Sequence, residues 1–122
     1  MRTGHLLRLL DAELIDAEDD IRDFEEVLRE RISAREITNY VYRENTALLE
    51  WELHAIERIR SRIKLIDPKQ FPDLSALRSE IESLVHDQVE HHEAPRAIES
   101  IVVRRLQKLL SYVERENGVL RP

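Results

Sequence analysis

Glu82, His86, Glu90 and Glu93 succeed one another at spacings of four, four and three, which lays three carboxylates and an imidazole along one face of a helix. Such a donor set can share a divalent cation, so these four residues are the candidate metal ligands of the chain. A shorter stripe of the same kind, Glu50, His54 and Glu57, lies upstream. The same spacing also describes an ordinary solvated helix face stitched by i to i+4 pairs, and both stripes fall away from the apolar seams.

Other chemistry is thinner still. Di-iron carboxylate bundles aim their ligands inward and use Glu-x-x-His pairs, and no such pair occurs here; nor does the His-x-x-x-His spacing of hemerythrin-type bundles. A helical wheel turns Gln88 and His92 toward the core, where a polar pair needs hydrogen-bond partners. No serine sits in a nucleophile-elbow context, and Gly4 and Gly118 are too few for a phosphate-cradling loop. With no cysteine, disulfides, thiolate zinc sites and cysteine nucleophiles are excluded. We therefore assign no catalytic residue and no cofactor, and lean against an enzyme.

The elements that would position these groups are helices. Of the 122 residues, 36% are charged and 42% hydrophobic, with only 2 Gly and 4 Pro, a composition that favours long helices in one all-α domain. The Leu6–Leu10 run is interrupted by Arg8 and too short for a secretory segment, and nothing reaches transmembrane length, so we expect a cytoplasmic protein without membrane contact.

Leu7, Leu10, Leu14, Ala17, Ile21, Phe24 and Leu28 alternate by three and four, giving a first helix over about 5–31. Ser33 and Glu36 have capping-box spacing, and Ile32 and Ile37 sit where a hydrophobic staple would, which starts a second helix at Ser33. The heptad frame nevertheless continues through Tyr42, Leu49, Ile56 and Ile63, so a single helix of about 60 residues, about 90 Å long, competes with the hairpin. Arg31, Arg35 and Thr38 in its seam favour the hairpin. Pro68 and Pro72 end the second helix near Ile66.

A third helix spans about 73–92 and a fourth about 95–117, with Pro95 either breaking or kinking the chain between them and Gly118 placed to cap the end. Four antiparallel helices follow, the first two longer than the last two. Part of the first hairpin must then project, either solvated or covered by another chain.

Charge patterning narrows function further. The net charge of -6 argues against general nucleic-acid binding, although Arg104, Lys108 and Arg115 form a local stripe and Arg58, Arg60, Arg62 and Lys64 crowd one helix end. The acidic first helix is expected beside a basic one, with Arg104 and Lys108 of the last helix or of a neighbouring chain as its neighbours. On the second helix Leu48, Leu49, Leu53, Ile56, Ile59, Ile63 and Ile66 define a broad core face, while Tyr40, Ala47 and Trp51 fall outside it. Those three are the candidate interface, since Trp and Tyr are enriched at protein contacts. The expectation is a non-catalytic interaction or oligomerisation module, pairing with its own copy as a dimer or with another helical protein. A carboxylate/histidine metal bundle and a nucleic-acid accessory protein are the alternatives.

Overall fold

The computed structural model describes residues 2–119. It is an all-α bundle of α1 (Arg2–Ser33), α2 (Asn39–Ile63), α3 (Leu74–Glu90) and α4 (Arg96–Val119), with a 3-10 turn at Pro68–Gln70 between the middle pair. The helices run alternately up and down, and each packs on its neighbours round the ring, α4 closing against α1. Leu10, Leu14, Ala17 and Ile21 of the heptad pattern supply the α1 side of the core, joined by a fully buried Leu6, while the expected Leu7 is only partly buried. Leu77, Ile81 and Val85 face them from α3, and Ile98, Val102, Leu106 and Val113 from α4. No helix among the described residues is long and apolar enough to cross a membrane.

The first hairpin forms, but its turn lies elsewhere than the capping-box spacing indicates. Ser33 is the last residue of α1 and does not open α2. Arg35 takes the left-handed conformation (φ 60°). That lets the Glu36 N–H reach the Arg31 carbonyl (2.9 Å) and the Arg35 N–H reach that of Ile32 (3.1 Å), closing the helix in a Schellman motif. Thr38, extended at φ -81° and ψ 162°, caps α2, its hydroxyl accepting the Val41 N–H at 3.2 Å. Ile37 and Tyr42 then hold the staple positions. Carbonyls at a helix end need donors, and satisfying them outweighed the spacing signal at Ser33.

The remaining breaks follow local chemistry. The α2 helix ends at Ile63, a turn short of Ile66, and Asp67 accepts the Lys69 N–H (3.0 Å) to open the Pro68 turn. Asp73 caps α3 by accepting the Ser75 N–H at 3.0 Å. A second Schellman turn, with His92 left-handed (φ 59°) and the Glu93 N–H on the Gln88 carbonyl (3.0 Å), separates α3 from α4, so Pro95 marks a break and not a kink. The Pro95 carbonyl accepts the Ile98 N–H at 3.0 Å. At the far end α4 continues through Asn117 and Gly118, so that glycine does not end the helix.

Unequal helix lengths shape the molecule. At 1.5 Å per residue α1 is about 48 Å long and α3 about 26 Å. The α3–α4 turn lies against Arg58 and Arg62 of α2, where Glu57 also approaches Arg22 of α1. Beyond that level residues 23–33 and 39–53 continue alone as a two-helix arm.

Replacing Thr38 by Ala should lower stability by about 1 kcal/mol, the usual cost of a lost N-cap, whereas Ser33→Ala should leave the denaturation midpoint nearly unchanged. Chemical denaturation of the two variants checks the placement of the turn.

Candidate functional site

The arm is held by charge as well as by apolar packing. Arg60 of α2 lies between two carboxylates of α1, its Nε donating to Asp11 (3.0 Å) and its Nη1 to Glu18 (2.6 Å). The Glu18 side chain is only 3% exposed and that of Arg60 19%, so the carboxylate end of this ion pair is buried at the α1–α2 seam. Those bonds, that to Asp11 foremost, raise the Arg60 pKa. On the opposite flank of α1, Arg105 of α4 donates to Glu13 (2.7 Å) and Asp16 (3.1 Å).

These clamps revise the expected electrostatics. The acidic α1 does lie beside α4, where Glu13, Arg104 and Lys108 line one groove, but the ion pairs run to Arg105. The basic cluster at the end of α2 is largely engaged within the fold: Arg60 as described, Arg58 donating to the Glu93 carbonyl, and Arg62 near the Glu93 carboxylate at 3.8 Å. Wheel positions identify a flank but not which of several neighbouring arginines reaches across it, so Arg60 and Arg105 could not be singled out from sequence.

Above the clamps the apolar surface is bare. Exposure reaches 49% at Phe24, 69% at Tyr40, 39% at Val41, 44% at Leu48 and 43% at Trp51, all on the arm. Leu28, 5% exposed, is the arm's one buried large apolar residue. The candidates Tyr40, Ala47 and Trp51 thus lie together on exposed helix. Phe24 and Leu48, expected in the core, join them, as does Val41. On α2 the line Val41, Leu48, Ala55, Ile59 advances by seven, seven and four, a single stripe. Ala55 and Ile59 are fully buried, while Val41 and Leu48 have outrun the helices that would cover them. The missed signal was helix length: a wheel reports direction and says nothing of where a neighbour stops.

On the same helix, partial burial raises the Glu52 pKa from its ordinary value.

The candidate metal stripe does not converge. Glu82 accepts from Arg78 (2.8 Å), His86 bonds Glu99 of α4 through Nδ1 (2.9 Å) with Glu90 at 3.7 Å from Nε2, and Glu93 turns to Arg62. Among the described residues no three His or carboxylate groups gather as a metal site, including those of the Glu50, His54, Glu57 stripe. His86 is therefore an exposed ion-pair partner between α3 and α4, and the Glu99 hydrogen bond raises its pKa.

Of the pair expected in the core, Gln88 is buried with its Oε1 lacking a protein partner, whereas His92 sits exposed in the left-handed turn. The Schellman bend rotates His92 out of the helical register on which the wheel relied.

Arg60→Met should destabilise the protein by about 3–5 kcal/mol, because it strands Glu18 uncompensated, and Glu18→Met in the same chain should recover most of the loss. Thermal denaturation of the single and double variants measures both. His86 has a raised folded-state pKa, so its contribution is full below the unfolded value of about 6.5 and is lost as pH rises through the folded value. The stability gap between wild type and His86→Gln should accordingly be widest in mild acid and shrink at alkaline pH. No protein-family model matches the chain, and no curated protein or solved structure matches it.

Proposed function

We propose that this protein is a non-catalytic helical interaction module that engages its partner through the inner face of the α1–α2 arm. The observation carrying this reading is the gathering of Phe24, Tyr40, Val41, Leu48 and Trp51 on one projecting hairpin. Scattered surface apolar residues are normal in folded proteins, but a contiguous patch rich in aromatics marks contact surfaces. Trp and Tyr supply much of the energy at such surfaces, since they bury large area at small entropic cost. The arm is presented rigidly, with Arg60 clamped to α1 below it and Leu28 packed within it.

The other readings have less to stand on. Metal binding would need Glu82, His86 and Glu93 to leave their present partners. Nucleic-acid binding would rest on Arg104, Lys108 and Arg115 of α4 against a net charge of -6.

A photoreactive amino acid placed at Leu48 should give discrete cross-linked adducts in the native cells, whereas the same probe at Ser100, exposed on α4, should not. An absence of adducts from position 48, or the same adducts from both positions, would overturn the reading.

A further inference from the structure

We propose that the occupant of the arm's inner face is the arm of a second copy, the two hairpins lying face to face and antiparallel so that together they complete a four-helix cross-section. This rests on the interaction-module reading above and names its partner.

Continuity with the core is the first argument. Below the α3–α4 turn, the Val41, Leu48, Ala55, Ile59 stripe of α2 is covered by two further helices; above it the cover is missing. A second arm supplies two helices with the same inward faces. Length is the second argument. The open face extends about 16–22 Å, at 1.5 Å per residue, before the turn at residues 91–95 blocks it. A long helix would collide with that turn, while an identical arm matches the space by construction.

Area points the same way. Three aromatic side chains about half bare, with Val41 and Leu48, expose on the order of 500 Å² of apolar surface, from about 150–250 Å² per aromatic ring. Apolar atoms form roughly 60% of an interface, so this corresponds to about 800 Å² per partner, the standard size for a stable pair.

Charge selects the orientation. The tip, residues 29–43, carries Arg29, Arg31, Arg35 and Arg43 against Glu30 and Glu36. The base, residues 23–28 and 44–53, holds six carboxylates and no Lys or Arg. Antiparallel packing sets each basic tip on the other copy's acidic base, whereas tip-to-tip packing opposes like charges. The two-fold relation then places α2 opposite α2, with Ala47 near the middle, and closes the assembly without propagation.

Light scattering of the full chain should give twice the chain mass. Trp51→Glu should weaken self-association at least tenfold while preserving the helical circular dichroism; if that variant unfolds, Tyr40→Glu, at a more exposed ring, carries the same expectation. The chain has no native cysteine, so single introduced cysteines report geometry. Ala47→Cys should form a disulfide-linked dimer under oxidation, and Arg35→Cys, at the tip, should not. A monomer at the highest attainable concentration, a dimer indifferent to both Glu substitutions, or cross-linking at position 35 instead of 47 would each overturn the proposal. A monomer that still gives position-48 adducts with other proteins would leave the interaction-module reading standing.

Discussion

Four helices share a core only up to the level at which one hairpin turns back, and here the turn at His91–Pro95 sets that level although α4 is nearly as long as α2. The left-handed His92 and the following proline stop α3 and redirect the chain into α4. The α1–α2 hairpin has no such stop at that level and runs on to its own turn at Ala34–Thr38. The exposure of three apolar groups on the arm traces to this mismatch. Phe24, Val41 and Leu48 occupy core-facing positions at a height where nothing faces them.

An overhanging hairpin needs fastening, and the ion pairs provide it. Glu18 and Arg60 lie at the α1–α2 seam, below the point where α3 and α4 cease to contribute. A buried carboxylate is costly without its partner, so the pairing specifies register as much as it adds stability. Arg105 fixes the other flank of α1 against α4. The acidity of α1 is therefore partly an internal matter, answered by arginines from two other helices and not reserved wholly for a partner. At the base of the arm Asp19 and Glu57 meet Arg22 and Glu26 meets Arg29, on the exposed surface.

The absence of a converging His/carboxylate cluster among the described residues has the same origin. The bundle core is largely aliphatic, with Thr3, Glu18 and Gln88 as its buried polar residues. The histidines and glutamates on the outer faces of α3 and α4 pair along and between helices, as His86 does with Glu90 and Glu99. Side chains on convex helix faces diverge, so a stripe that aligns donors in sequence does not by itself converge them on one point. Chemistry in a bundle of this kind would require inward ligands, and these are not inward.

The sequence by itself determined the helical class, most of the α1 seam (Leu10, Leu14, Ala17, Ile21 and Leu28) and the need for a break at the prolines. Those features arise from periodicity and backbone restriction, which are local. It also pointed to Tyr40, Ala47 and Trp51 as residues outside the core, because angular position on one helix is local too. Only the tertiary structure decided that the first turn uses Arg35 and Thr38 in place of Ser33, and that Phe24 and Leu48 are bare. It alone also identified Arg60 and Arg105 as the arginines that reach the acidic helix. Each depends on where another segment ends or how far a side chain extends across a gap, and such distances arise only when the helices are packed against one another.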